Sequence, residues 1–78
     1  MLKEIKTTLK NGVKKTYMTE TEQFLMKKQD GWDMIGFTEV GKKRNKWIPI
    51  GANVIEIVIC EAETGRRIET INCEDYNR

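Results

Sequence analysis

The segment Val54–Glu61, with the sequence VIEIVICE, carries apolar side chains on both faces of any strand that it forms. Successive side chains of a strand point to opposite sides. Its apolar residues therefore fall into two sets: Ile55, Ile57 and Ile59 on one face, and Val54, Val58 and Cys60 on the other together with Glu56. A strand that is apolar on both faces is typical of the interior of a sheet. The segment predicts a central strand to which the rest of the chain must supply neighbours.

A β-hairpin is predicted at Asn11-Gly12, which lies between the β-compatible segments Leu2–Lys10 and Val13–Thr19. Both residues tolerate the positive φ of a type I′ turn, and Asn-Gly is the strongest short-range hairpin signal. With these two residues as the loop, Ile5 faces Met18 on the core side.

The first segment also fits a helix, because Leu2, Ile5 and Leu9 share one helical stripe that Gly12 could end. Thr7-Thr8 interrupts that stripe with poor helix formers. Threonine is favoured in strands, so we prefer the hairpin for residues 2–10.

One helix is predicted to begin at Thr19, which has capping-box spacing to Glu22. Lys27 and Lys28 near its end suit the helix dipole, and Gly31 can end it in the left-handed conformation. The helix would contact the core through Phe24 and Leu25, with help from Met26.

The remaining segments predict further strands joined by loops. They are Trp32–Val40, a basic loop Gly41–Lys46, the strand Trp47–Ile50, the central strand, a turn at Thr64-Gly65, the strand Arg67–Cys73 and a polar tail, Glu74–Arg78, that we expect to fray. Pro49 cannot donate to a ladder and therefore marks an edge strand. The predicted fold is one α+β domain, residues 1–78: a mostly antiparallel β-sheet with one helix packed on a face, in the order β-β-α-β-β-β-β.

The chain contains no histidine, which removes the commonest general base and the commonest metal ligand. It also lacks glycine-rich phosphate loops, nucleophile motifs and metal-ligand spacings. We therefore expect no enzymatic activity, no cofactor and no metal. It shows no signal pattern and no apolar run of membrane length, so we expect a cytoplasmic protein without membrane contact.

Charge is unevenly distributed along the chain, although the net charge is only +2. Residues 1–50 carry 11 Lys and Arg against 6 Asp and Glu, whereas residues 51–78 carry 3 against 6. So balanced a total is not typical of a strong polyanion binder or of a DNA mimic.

The clearest electrostatic feature is a basic stretch followed by an aromatic residue. It consists of Lys42, Lys43, Arg44, Lys46 and Trp47. The cations could contact phosphates while the indole stacks on a base, or the stretch could be a solvated loop whose Trp packs in the core. Lys14, Lys15 and Tyr17 would extend this surface if the two hairpin ends lie side by side.

A second, acidic region is predicted on the last hairpin. Its members are Glu61, Glu63, Glu69, Glu74 and Asp75. They lie beside turns and ends, which favours a solvated sheet edge, and the alternative is an anionic surface that docks on a basic groove of another protein.

Cys60 and Cys73 are the only cysteines. With Thr64-Gly65 as a two-residue loop, Cys60 pairs with Glu69 and Cys73 lies about 13 Å further along the strand. A disulfide needs Cα atoms within about 7 Å, so we expect two reduced thiols. Without histidine they also make a poor zinc site.

The stretch Phe24–Phe37 includes Asp30-Gly31-Trp32-Asp33 followed by Met34-Ile35-Gly36-Phe37. It resembles small bacterial domains of unknown function in which a helix ends near Gly-Trp-Glu and an apolar strand follows, with Asp33 here in place of Glu. The composition and small size also resemble orphan proteins of phages and mobile elements. That resemblance implies a protein that binds and blocks a host enzyme or a defence complex.

These observations favour a small protein-binding module that inhibits by occlusion, with the basic stretch as its contact surface. A nucleic-acid-binding module using residues 42–47 is the first alternative. A homodimeric structural protein, formed through an open sheet edge such as Trp47–Ile50 or Arg67–Cys73, is the second.

Overall fold

A computed structural model describes residues 1–77, which form seven strands and one short helix. The strands are β1 (Lys3–Leu9), β2 (Lys14–Thr19), β3 (Leu25–Gln29), β4 (Trp32–Thr38), β5 (Asn45–Pro49), β6 (Val54–Glu61) and β7 (Arg67–Asn72), and the helix is α1 (Cys73–Tyr76). They make a four-stranded sheet in the order β2-β1-β6-β7 and a three-stranded sheet in the order β3-β4-β5. Every strand pair in both sheets is antiparallel. The mostly antiparallel architecture is therefore confirmed.

The core lies between the two sheets. Ile5 and Ile57 from the four-stranded sheet and Ile35 and Phe37 from the three-stranded sheet belong to one buried cluster. Because each sheet contributes its inner face, residues 1–77 form a small two-layer β-structure, without the helix-on-sheet layer that the sequence predicts.

β6 is an interior strand, as predicted, because it pairs with β1 on one side and β7 on the other. A bulge changes its faces: Thr8 pairs with Glu56, whereas the next residue of β1 pairs with Val54. Ile55 is therefore the extra residue and is 41% exposed, while Val54 joins the core. The prediction that Ile55 shares the core face was wrong because a bulge breaks the two-residue period.

The first hairpin is confirmed, and the helical alternative for residues 2–10 is excluded. Its register differs by one residue from the prediction, because Ile5 pairs with Tyr17. The amide of Gly12 donates to the carbonyl of Leu9, so the loop spans three residues and ends with Gly12 at φ 86°. Met18 consequently leaves the core face, since a shift of one residue reverses a side chain's direction.

The predicted helix after Thr19 was wrong, because residues 25–29 form the edge strand β3. It is joined to β4 by Asp30-Gly31, whose φ angles of 53° and 83° are both positive. Asp-Gly is a preferred pair for a two-residue type I′ hairpin loop. The glycine that can end a helix is equally suited to this turn.

Thr19 fastens the connection between the sheets and does not cap a helix. Its buried hydroxyl donates to the carbonyl of Thr38 at 2.6 Å and accepts from the amide of Thr21 at 3.1 Å. The hydroxyl of Thr21 in turn accepts from the amide of Thr38 at 3.1 Å. The crossing from β2 to β3 is thereby tied to the end of β4.

The predicted edge strand at Pro49 is confirmed, since β5 is the last strand of the three-stranded sheet. The last hairpin is longer than predicted. The amide of Glu61 bonds to the carbonyl of Arg66, and Cys60 pairs with Arg67 in place of Glu69. Both cysteines are nevertheless free and buried, as expected.

The tail is structured up to Asn77, contrary to the expectation that it frays, and Arg78 lies outside the described residues. Asn72 caps α1 by accepting a hydrogen bond from the amide of Asp75, and Cys73 packs into the core. The side chain of Asn77 donates to the carbonyl of Ile50 at 2.7 Å. One buried thiol and one amide therefore hold this end on the sheets, and burial raises the pKa of the Cys73 thiol.

Candidate binding surfaces

Four of the predicted basic residues gather on one side of the molecule, beside the place where Lys46 of β5 contacts Tyr17 of β2. The amide of Val40 bonds to the carbonyl of Met18, and Thr19 forms a bridge with Glu39, so the loop after β4 is fastened to β2. We call this side the basic flank; it comprises Lys42, Lys43, Arg44 and Lys46, which border one shallow depression.

The structure brings Lys46 and Tyr17 together, a contact that the sequence left open. The ammonium of Lys46 lies 5.1 Å from the centre of the Tyr17 ring. Lys14 and Lys15 begin the same strand, at the end away from the 41–44 loop. As successive residues of a strand they point to opposite faces, and only Lys15 shares the face of Tyr17.

Trp47 is a poor stacking surface, because its ring is already covered. The indole lies against the α-carbon of Gly36 on the neighbouring strand. The ammonium of Lys27 lies 4.2 Å from the ring centre, within the range of a cation–π contact. Tyr17 is covered in the same way by Lys46 and packs on Phe37 with ring centres 5.9 Å apart. Each of the two rings therefore has a lysine ammonium over it, which a stacked base would have to displace.

The predicted acidic region does not form one surface. The carboxylate of Glu61 accepts from Nε of Arg66 at 2.6 Å and is largely covered. Glu63 lies beside it in the hairpin loop. Glu69 lies on β7 and reaches a different part of the molecule, beside Asp75. Glu69 and Asp75 border the same cavity, which has apolar walls.

That cavity is a groove of about 610 Å³ between β3 and β7. We call it the edge groove; its apolar lining is Phe24, Met26, Ile35, Ile50 and Ile71. Glu69, Asp75 and Tyr76 border it on the other side. The hydroxyl of Tyr76 donates to the carboxylate of Asp33 at 3.0 Å, and this hydrogen bond raises the pKa of Tyr76. The groove therefore combines an apolar floor with an acidic rim.

β3 borders the edge groove and is exposed along its whole length. Leu25 is 47% and Met26 54% exposed, so the prediction that they contact the core was wrong. β3 and β7 are also the outer strands of their sheets on this side. An exposed edge strand presents unpaired main-chain N–H and C=O groups that can pair with another chain.

The edge groove was missed at the sequence level. Its lining comes from residues 24, 26, 35, 50 and 71, which are distant along the chain and meet only when the two sheets pack. The Asp30-Gly31 pair could have revealed β3, because it is a hairpin signal between two extended segments.

No helix among residues 1–77 is long and apolar enough to cross a membrane. The same residues contain no group of three or more Cys, Asp or Glu side chains placed to hold a metal ion. Comparisons with protein-family models, with curated proteins and with solved structures found no match.

Proposed function

We propose that this chain is a non-enzymatic protein-binding module that docks its basic flank on an acidic surface of a larger protein and acts by occluding that surface. The observation that carries the proposal is the gathering of four cations around one depression while the neighbouring rings of Trp47 and Tyr17 each have a lysine ammonium over them. A charged surface of this kind gives orientation and a fast encounter with a partner of opposite charge.

The covered rings favour protein over nucleic acid as the partner. Single-stranded nucleic acid is usually held by phosphate contacts together with bases stacked on free aromatic faces. The basic flank retains the cations, but Trp47 and Tyr17 are engaged by Lys27 and Lys46. A charged surface without stacking partners suits the carboxylates of a protein.

The size of the molecule suits occlusion. A standard interface buries about 800 Å² on each partner. The backbone extends over 32 × 24 × 19 Å, so one broad face of the molecule is enough for such an interface.

The two free cysteines fit a reducing compartment, and we propose that the protein acts in the cytoplasm. The resemblance to orphan proteins of phages and mobile elements suggests a host or defence complex that handles nucleic acid as the target.

The test compares three purified baits in nuclease-treated bacterial lysate. They are the wild-type chain, a variant with Lys42, Lys43 and Arg44 changed to Ala, and a control with Lys6, Lys10 and Arg67 changed to Ala. The control removes the same charge from exposed positions outside the flank. We expect a protein that the wild type and the control enrich and that the flank variant loses.

Two results would contradict the proposal. One is capture that is the same for all three baits, or capture that occurs only when the nuclease is left out of the lysate. The other is binding to oligonucleotides that weakens steeply with salt, with a slope that the flank variant reduces, since that is the signature of phosphate contacts.

A further inference from the structure

The two sheets differ by one strand, and the difference falls at the edge groove. β2 lies beside β5 at the basic flank, where Lys46 contacts Tyr17. At the other side β7 has no strand of the three-stranded sheet opposite it, and the groove lies between β7 and the outer strand β3. A fourth strand added to β3 would lie opposite β7 and would give both sheets four strands.

We infer that the edge groove binds an extended segment of a partner protein, which adds to the free edge of β3 as a fourth strand. The segment is one in which apolar residues alternate with polar ones and in which one groove-facing residue is Lys or Arg. This inference does not depend on the basic flank, because it rests on another side of the molecule.

Apolar burial is the first reason for this occupant. Met26 pairs with Ile35 and Ile71 pairs with Ile57, and residues that face each other in adjacent strands share a side of the sheet. Since Ile35 and Ile57 lie in the core, Met26 and Ile71 point inward, into the groove. Alternate side chains of an added strand would cover both of them.

Charge gives the second reason. Glu69 pairs with Ile59, whose side chain is in the core, so Glu69 also points toward the groove. It is exposed, and no described residue forms an ion pair with it. Asp75 adds a second exposed carboxylate to the same rim. A cationic side chain two positions from an apolar one would face Glu69 while its neighbour faces Ile71.

Strand dimensions give the third reason. β3 spans 5 residues and β7 spans 6. At about 3.3 Å per residue, a segment of five to seven residues covers the groove from end to end. Main-chain hydrogen bonds to a free edge supply affinity in this mode of recognition, and the side-chain pockets supply specificity.

The probe is a blocked heptapeptide, Val-Thr-Val-Thr-Lys-Thr-Val, with alternate residues facing the groove. It is compared with a peptide that has Glu in place of Lys. Two further peptides are N-methylated at alternate residues, one at its odd-numbered residues and the other at its even-numbered residues. The readout is the amide chemical shifts of the isotope-labelled protein. We expect shifts concentrated in residues 25–29 and at Ile71, and a two- to fivefold weaker binding of the Glu peptide. One of the two N-methylated peptides should lose binding, because only one set of its amides faces β3.

A charge reversal makes the test specific. Glu69→Lys should invert the preference, so that the Glu peptide binds more tightly than the Lys peptide. Glu63→Lys is the matched control, since it makes the same charge change in the hairpin loop and should leave the preference unchanged. Both positions are exposed.

Three results would overturn the inference. They are the absence of shifts in residues 25–29 at millimolar peptide, equal binding of both N-methylated peptides, and an unchanged preference in Glu69→Lys. A dimer in light scattering whose formation protects the β3 amides from exchange would assign the groove to a second copy and would overturn it as well. Failure of the lysate capture described above would leave all of these measurements unaffected.

Discussion

The indole of Trp47 lies over the α-carbon of Gly36, its partner on the neighbouring strand. A β-carbon at residue 36 would stand 2.5 Å from the nearest ring carbon, closer than any real contact allows. We therefore expect Gly36→Ala to lower the free energy of unfolding by about 1–3 kcal/mol, because the ring must move and the contact with Lys27 is lost. Denaturant unfolding and tryptophan fluorescence measure both effects. In a Trp47→Ala background the same change should cost nothing, and an equal cost there would contradict the explanation.

The hydroxyl of Thr19 is expected to contribute to stability in a way that its methyl group cannot. Thr19→Val keeps the shape but leaves the carbonyl of Thr38 and the amide of Thr21 without their buried partner. We expect a loss of about 1–3 kcal/mol in the free energy of unfolding. Thr19→Ser retains the hydroxyl and is the control. A Val variant as stable as the Ser variant would show that these hydrogen bonds contribute little.

The Asp30-Gly31 turn gives a test of the strand assignment for β3. Gly31→Ala places a side chain at φ 83° and should destabilise the protein by about 1 kcal/mol. Asp30→Asn should leave stability unchanged or raise it slightly, because Asn-Gly is also a favoured type I′ pair. The free energy of unfolding of each variant decides the matter. A destabilising Asp30→Asn would argue against the turn.

Protonation of Glu22 should make the protein less stable in acid. Its pKa lies below the ordinary value of 4.5 because its carboxylate accepts a hydrogen bond from the Met1 amino group at 3.0 Å and lies near the ammonium of Lys3. A lowered folded-state pKa contributes stability above pH 4.5 that is lost as the pH falls through the folded value. Glu22→Gln should flatten the dependence of unfolding free energy on pH below that point.

Glu20→Gln is the control for that pH series, since Glu20 is an exposed acid two residues away. It should leave the acid limb unchanged. An acid limb that is the same in the Glu22 variant as in the wild type would refute the assignment.

Much of the sheet could be predicted from local signals. Asn11-Gly12 marks the first hairpin, Pro49 marks an edge strand, and the apolar run from Val54 marks an interior strand. Each signal acts within a few residues, so it does not depend on how the rest of the chain packs. The registers of β1 with β2 and with β6 could not be predicted. They depend on a third loop residue and on the bulge at Ile55, which are determined by pairing between strands.

The failure at β3 has a specific cause. Thr19 and Glu22 have the spacing of a capping box, and Gly31 suits both a helix end and a type I′ turn. Pairing with β4 decides between them, and pairing is not visible in a single segment. The same holds for the surfaces. The basic flank could be predicted because most of its residues are close in sequence, whereas the edge groove exists only between two packed sheets.

The pairing of β1 with β6 joins residues 3–9 to residues 54–61, while the other four strand pairs join neighbours along the chain. Hairpins of that local kind close in microseconds, but a long loop must lose more entropy before its ends meet. The slowest step of folding should therefore be the pairing of β1 with β6. A ribosome must release most of the chain before that meeting can occur, so the nascent polypeptide carries its first hairpin without a core for much of its synthesis.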